Sequence, residues 1–346
     1  MLDAKRKEVV EFIRANPSLS SKEIHTGVQL EVAYATLKRM LTKLTLERLI
    51  ITIGKGKGTK YEIAPGYKLF SPIDVNNYFQ KEIDDRDIID RFNLELMPQV
   101  LAGVHVFTNE ELQELNALQD KYKQNISQLS KEAYAKELER LAIDLSWKSS
   151  QIEGNTYSLL ETERLLREKE TAGGKSKDEA IMLLNHKEAL DFVIADPTYI
   201  TPLTIARIED IHSILIKELG VERNIRNRRV GISGTNYRPL DNEFQIKEAL
   251  QDMCNLVNIT ANIFEKSLLV LILISYIQAF EDGNKRTARI LSNAVLISHN
   301  YCPISFRTID SVEYKKAMLV FYEQNNLSAF KKIFMDQFEF AVETYF

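Results

Sequence analysis

The sequence has few cysteines, which crosslink secreted proteins, and few glycines and prolines, which are common in turns. Only 2 cysteines occur in 346 residues, Cys254 and Cys302, too few for a disulfide framework, which predicts a reducing, cytoplasmic compartment. The 13 glycines and 8 prolines are also sparse, which points to a mostly helical chain. The longest apolar run, at 268–277, is too short to span a bilayer. It predicts a buried helix and no membrane partner.

The remaining composition is that of a globular, mainly helical protein. Hydrophobic residues make up 45% and charged residues 27% of the chain, which is ordinary for soluble domains. Abundant Leu, Ile, Lys and Glu with little Gly and Pro favours α-helix. The length allows two or three domains. Shifts in pattern predict a small domain at 1–70, a linker at 71–100 and a larger domain at 101–346.

The charge is distributed unevenly along the chain. The net charge is −4, yet residues 1–63 carry 12 Lys and Arg against 7 Asp and Glu. The first part is therefore basic and the remainder acidic. A small basic module on an acidic body indicates two different kinds of partner.

Residues 1–63 follow the pattern of three short helices and a β-hairpin. Apolar stripes of helical spacing predict the helices, and Ser20 with Glu23 forms a capping-box signature at the start of the second. Two β-rich segments, 49–53 and 61–63, flank a stretch rich in Gly and Lys. This order resembles the winged helix-turn-helix family, in which the third helix enters the major groove and the wing contacts the DNA backbone.

The resemblance implies that duplex DNA binds through residues 1–63. The implied contacts are Lys38 and Arg39 on the third helix and Lys55, Lys57 and Lys60 on the wing. Lysine contacts to phosphate read no base sequence, so no particular DNA site is predicted. Winged helices also serve as protein–protein or dimerisation modules, and a homodimer remains an alternative.

One stretch, 278–289, combines the features of a phosphate-binding turn. It reads Gln-Ala-Phe-Glu-Asp-Gly-Asn-Lys-Arg-Thr-Ala-Arg and joins an apolar run to a second helical pattern. Backbone N–H groups in a Gly turn and the positive end of a helix favour phosphate oxygens. Arg286 and Arg289 are three residues apart, so they share a helix face. The carboxylate of Asp282 offers the hard oxygen that Mg²⁺ prefers.

This stretch resembles the signature of the Fic family, written H-x-F-x-D-G-N-G-R-x-x-R. The matching residues are Phe280, Asp282, Gly283, Asn284, Arg286 and Arg289. Two positions depart from it, because Gln278 stands at the catalytic histidine and Lys285 at the second glycine. The lysine is also similar to the Doc relatives, which act as kinases.

The resemblance implies ATP and Mg²⁺ as ligands and assigns their contacts. Asp282 is the implied metal ligand, and the implied nucleotide contacts are Gly283, Asn284, Lys285, Arg286 and Arg289. In the family the histidine takes a proton from a protein hydroxyl, which then attacks the α-phosphorus of ATP. An amide at Gln278 has no useful basicity, and losing a general base costs ~10²–10⁴-fold in rate.

Three functions follow from these residues and stay open. The first is an impaired Fic-type adenylyltransferase that modifies a protein Ser, Thr or Tyr. The second is an inactive nucleotide sensor coupled to a DNA-binding module. The third is a Doc-like phosphotransferase. The implied fold is an all-helical Fic core with a short β-hairpin flap, plus a small N-terminal winged-helix domain.

Two further segments resemble parts of Fic proteins. Ser149, Glu153 and Gly154, in a helix around 140–155, match an inhibitory motif whose glutamate pairs with the arginine at Arg289, although Gly154 is also an ordinary helix C-cap.

Residues 223–239 resemble the flap, a hairpin whose edge docks the target protein. Its implied contacts are Val230, Gly231, Ile232 and Tyr237. A solvated connecting hairpin is the alternative. His212, between these two segments, is interpreted as a surface or core-edge residue.

Overall fold

The structure is a computed structural model that describes residues 4–64 and 66–346. Helices dominate these residues, as the composition predicts, and the one sheet among them is a two-stranded antiparallel hairpin. The helices are α1 (Ala4–Ala15), α2 (Ser21–Gly27), α3 (Tyr34–Leu46), α4 (Tyr67–Phe70), α5 (Val75–Tyr78), α6 (Asn109–Ser127), α7 (Lys131–Ile152), α8 (Leu159–Glu168), α9 (Lys177–Ala195), α10 (Ile205–Leu215), α11 (Glu243–Ile259), α12 (Ile263–Ile277), α13 (Asn284–Ser298), α14 (Ser311–Gln324) and α15 (Ser328–Tyr345).

The N-terminal part has its own small core. Strands β1 (Ile50–Ile53) and β2 (Lys60–Ile63) pair in register Ile50 with Ile63. The helices before them, α1 to α3, bury Val9, Ile24 and Leu41 against this hairpin. Ser20 and Glu23 form the predicted capping box. The three helices and the hairpin are therefore confirmed as elements, whereas the winged-helix assignment stays a prediction.

The larger core is built around α12. This helix is apolar on every side and almost wholly buried, as the run at 268–277 predicts. It packs most extensively against α13, which follows it after the turn at 278–283. Among residues 4–64 and 66–346, no helix combines the length and the apolar character needed to cross a bilayer.

The segment between the two cores packs into the larger one. Leu69, Phe92 and Leu96 belong to that core. The buried Arg86 guanidinium binds the carboxylate of Glu323 on α14 at 3.1 Å and donates to the carbonyl of Gly234 at 2.8 Å. The connector is thus fixed to α14 and to the loop at 223–239. The domain limits at 70 and 100 stay predictions.

The hairpin expected at 223–239 does not form, so that prediction is wrong. These residues form a loop with no strand pairing of their own, and a single isolated bridge joins Arg238 to Arg91 of the connector. The cause is the buried Arg226, whose guanidinium donates to the carbonyls of Gln278, Arg228 and Leu240. Those bonds hold the loop against the site and replace a strand ladder.

Candidate functional site

The turn between α12 and α13 has the backbone that its sequence requires. Gln278 ends α12 in the left-handed region at φ 52°, and Gly283 precedes α13 at φ 82°. A Cβ at Gly283 would lie 3.2 Å from Ile216 Cγ2 and 3.3 Å from the His212 ring. Both the dihedral angle and the close neighbours therefore require glycine. The first N–H groups of α13 have no acceptor within the helix and face the turn.

Asn284 braces the turn from inside. Its side chain accepts from the Phe280 N–H at 2.9 Å and donates to the Phe280 carbonyl at 2.7 Å. It also donates to the Gln278 side-chain oxygen at 3.3 Å, and the residue is buried. The structure thus shows Asn284 shaping the turn, and the nucleotide contact that the resemblance implies for it stays a prediction.

His212, expected at the surface or at the edge of the core, is fully buried behind the turn. Its ring stacks on Phe280 with centroids 3.7 Å apart, and Nε2 lies 2.9 Å from the Asp282 carbonyl. Because a carbonyl only accepts, Nε2 carries the proton. Burial lowers the pKa of His212 to about 4, outweighing the hydrogen bond to Asp282. It is a neutral support of the turn at pH 7.

The end of α7 reaches the middle of α13. Arg289 is fully buried, and its Nη2 lies 2.7 Å from Glu153 Oε1. The same guanidinium donates to the Ser149 hydroxyl at 2.8 Å and to the Ser149 carbonyl at 3.0 Å. Gly154 then turns the chain at φ 102°. The expected contact between Glu153 and Arg289 is therefore present, and its inhibitory role stays a prediction.

Glu153 is charged in this setting. Burial alone would raise the pKa of its carboxyl, but the charges of Arg289 and Lys285 and the hydrogen bond from Arg289 outweigh burial. The pKa is consequently lower than the ordinary value. Lys285 Nζ lies 3.4 Å from Glu153 Oε2. The carboxylate thus remains ionised at neutral pH between two cations.

Asp282 and Arg286 form a second ion pair at the turn. Arg286 is almost completely buried and binds the Asp282 carboxylate at 2.7 Å and the Leu215 carbonyl at 3.4 Å. The Asp282 side chain is 62% exposed, so its oxygens remain accessible to a cation. Arg286 and Arg289 share a helix face, and each guanidinium already binds protein acceptors, although Arg286 Nε and Arg289 Nη1 have no hydrogen-bond partner among the residues that the structure describes.

A cavity of about 360 Å³ opens in front of the turn. The implied site residues that line it are Gly231, Ile232, Gln278, Asp282, Asn284, Lys285 and Glu153. Neither Arg286 nor Arg289 lines it. The opposite wall, which the sequence analysis missed, is α14, with Tyr314, Lys315, Met318, Leu319 and Tyr322. Their spacing places them on one face of a helix, which the sequence could have shown. No local pattern, however, indicates that this face lies opposite the turn.

The Gln278 amide lies at the floor of this cavity. It is 9% exposed, donates to the Ser275 carbonyl at 2.5 Å and lies 3.4 Å from the Tyr322 hydroxyl. Glu281 lines the same cavity, but its carboxylate binds Arg228 Nε at 2.5 Å. Burial raises the pKa of Tyr322 well above its ordinary value. Neither the Gln278 amide nor the Tyr322 hydroxyl therefore offers a base near neutral pH, and Glu281 is engaged by Arg228.

The loop residues of the expected flap divide into two sets. Gly231 and Ile232 border the cavity and Val230 adjoins them. Tyr237 is instead a core residue, stacked on Tyr276 and donating to its carbonyl at 3.2 Å. Burial raises the pKa of Tyr237 well above its ordinary value. Tyr237 therefore does not lie on an exposed target-binding edge, and that prediction is wrong.

The basic residues implied for DNA lie in different settings. Lys38 and Arg39 border a groove of about 680 Å³ whose far wall includes Thr108 and Glu110 of the larger body. Lys55 is exposed at the hairpin tip, whereas Lys60 pairs with Glu23 at 3.0 Å. The side chain of Lys57 lies outside the residues that the structure describes.

A family model and a curated relative each match part of this chain. Residues 202–296 match the model of the Fic/DOC family. A protein of Nematostella vectensis named protein adenylyltransferase Fic is 30% identical over 174 residues, which are 48% of this chain and 40% of that protein. The chain therefore spans less than half the length of this curated relative.

Two solved structures share the fold. Fic-1 (residues 134–508) from C. elegans superposes with a TM-score of 0.60 at 21% identity, over 68% of this chain and 72% of that one. A Fic-domain signalling protein from Bacteroides thetaiotaomicron gives a TM-score of 0.58 at 20% identity, over 66% of this chain and 94% of that one. These likenesses confirm the mainly helical fold class.

Proposed function

Since residues 202–296 form a Fic/DOC family domain, we propose that this chain binds ATP with Mg²⁺ in front of the turn at 278–283. We further propose that its transfer of AMP to a protein hydroxyl is impaired. One observation carries the proposal: the cavity joins the N-terminus of α13, Asp282 and Lys285, yet it presents the amide of Gln278 at the position of the family base.

The residues present fit ATP with its metal. A cavity of about 360 Å³ lies within the range of small-molecule sites. Mg²⁺ is commonly held by one or two carboxylates together with substrate phosphates, and Asp282 is an exposed carboxylate beside the helix end. Bound there, the cation would neutralise phosphate charge. Lys285 and the first N–H groups of α13 would hold phosphate oxygens.

The impairment lies in proton transfer. A target hydroxyl held near Gly231 and Ile232 would meet Gln278, whose amide can orient a hydroxyl but not accept its proton at neutral pH. Val230, Gly231 and Ile232 are the proposed target dock, because they adjoin the cavity. Glu281 is engaged by Arg228 and Asp282 by Arg286, and neither carboxylate is assigned the role of the base.

Glu153 is the proposed brake on this site. Its pairing with Arg289, which also donates to Ser149, occupies a guanidinium that would otherwise be available to the distal phosphate of a nucleotide. Nucleotide would then bind weakly or in a pose that does not react. Releasing Glu153 frees both the arginine and the space at the end of α7.

Incubation with ATP labelled at the α- or γ-phosphorus tests the proposed chemistry. We expect the natural chain to label itself or a bulk protein acceptor only slightly from α-labelled ATP, because no base is present. Strong transfer of the γ label would establish a phosphotransferase instead. Strong transfer of the α label by the natural chain would overturn the proposed impairment.

A second proposed function, binding of duplex DNA, rests on the basic hairpin and α3. We expect the full chain to bind a labelled duplex, with affinity that falls steeply between 50 and 200 mM salt. Replacing Lys55, Lys57 and Lys60 by alanine should reduce the salt slope by about 1 per lysine. Fluorescence anisotropy measures both quantities.

A lysine far from the hairpin supplies the control for DNA binding. Lys332 on α15 is exposed, and Lys332→Ala should leave the salt slope unchanged. Absence of duplex binding at 50 mM salt would contradict the proposal. A protein–protein role for residues 1–63 would then be the remaining interpretation.

A further inference from the structure

The carboxylate of Glu153 is held by two cations of the same helix. Oε1 lies 2.7 Å from Arg289 Nη2, and Oε2 lies 3.4 Å from Lys285 Nζ. Lys285 and Arg289 are four residues apart on α13, so their side chains lie on one face of the helix. Each oxygen of the proposed brake therefore has its own positive partner.

The two cations differ in their access to a ligand. Arg289 is fully buried and does not line the cavity in front of the turn. The Lys285 side chain is 27% exposed and does line it. Because of this order, an anion that enters the cavity meets Lys285 before it can reach Arg289.

We propose that Lys285 is a second latch on Glu153, a positioning residue that holds the carboxylate and exchanges it for a ligand phosphate. The inference rests on the proposed nucleotide site. In the closed state Lys285 keeps the end of α7 against α13. When a ligand phosphate binds Lys285, Glu153 loses one of its two cation partners. Its ion pair with Arg289 is then weakened.

Two opposing effects follow for any change at Lys285. Its removal deletes a phosphate contact, which weakens nucleotide binding. The same removal also deprives Glu153 of one of its two cation partners. Glu153 is then held less firmly, which strengthens nucleotide binding. The second effect exists only while Glu153 carries its charge, so the outcome must depend on residue 153.

A double-mutant cycle on ATP affinity tests this dependence. Calorimetry with ATP and Mg²⁺ would compare the natural chain, Lys285→Met, Glu153→Gln and the double variant. In the Glu153→Gln background, Lys285→Met should weaken binding about tenfold. In the natural background the same change should alter affinity less than about twofold or tighten it, a coupling well above ordinary additivity. Equal effects in both backgrounds would overturn the latch.

Lys315 supplies the matched control for this cycle. It lines the same cavity from α14 and forms no ion pair within residues 4–64 and 66–346. Lys315→Met should therefore have the same effect on ATP affinity with or without the charge of Glu153.

A second readout needs no nucleotide. Lys285→Met should increase hydrogen exchange of the amides near 149–153 at the end of α7, whereas Lys315→Met should not. A role confined to phosphate binding would leave exchange unchanged, which would overturn the latch. If no variant binds ATP, the proposed nucleotide site fails, while this exchange measurement still decides the latch.

Discussion

Replacement of Gln278 by histidine should raise AMP transfer from ATP by roughly 10²–10⁴-fold, the usual contribution of a general base. The turn already holds this position at the floor of the cavity, beside Asp282 and Lys285. A neutral imidazole can take the hydroxyl proton that an amide cannot. The gain should be clearest in the Glu153→Gly background, where the proposed brake is absent. Label transferred from α-labelled ATP measures the rate.

The backbone at Gln278 suits the exchange. Its φ of 52° lies in the left-handed region, where histidine and asparagine occur more often than most residues. Ser275 offers a carbonyl acceptor that can fix the ring. Gln278→Asn is the matched control, because it tolerates the same backbone and lacks a base. If both variants bind ATP and transfer equally little AMP, the missing base is not the cause of the impairment.

Arg289→Met should lower the free energy of unfolding by about 3 kcal/mol, the lower end of the cost of breaking a buried ion pair. Arg289 is fully buried, and its loss leaves the Glu153 carboxylate with only Lys285 as a cation partner. It also removes both hydrogen bonds to Ser149. Urea denaturation of the two proteins measures the difference.

A surface arginine provides the comparison for this stability loss. Arg229 pairs with Asp241, but its side chain is 89% exposed, and Arg229→Met should change stability by only a few tenths of a kcal/mol. Changing Glu153 to Leu together with Arg289→Met removes the stranded carboxylate and should restore part of the loss. If Arg289→Met were as mild as Arg229→Met, the ion pair would not hold α7 to α13.

The features that were predictable from sequence are those encoded within a few residues. The apolar run at 268–277 and the Gly283 turn specify α12, the left-handed position and the start of α13. The capping box at Ser20 and the Gly-Lys segment specify the N-terminal helices and hairpin. In each case a local pattern determines the backbone, so the prediction needed no knowledge of distant contacts.

The features that were missed depend on contacts between distant segments. Residues 223–239 resemble the flap hairpin, but the Arg226 guanidinium binds the carbonyl of Gln278 in the turn and that of Leu240 at the end of the loop, and no strand pairing forms within these residues. The place of His212 behind the turn was also missed, because Phe280, on which it stacks, lies far away in the chain.

A signal for His212 was nevertheless present in the sequence. It falls on the apolar stripe of α10, between Ile208, Ile211 and Leu215, a spacing that predicts burial. The α14 wall of the cavity also has helical spacing. The sequence does not show which helix faces the turn, because that depends on how the whole core packs.

Calorimetric titration of the natural chain and of Glu153→Gly with ATP and Mg²⁺ tests the central claim most directly. That claim is a nucleotide site restrained by the charge of Glu153. We expect weak binding by the natural chain and roughly 10–100-fold tighter binding by the variant, the worth of one charge-assisted contact. Absence of ATP binding by both proteins would contradict the site, and equal affinities would contradict the brake.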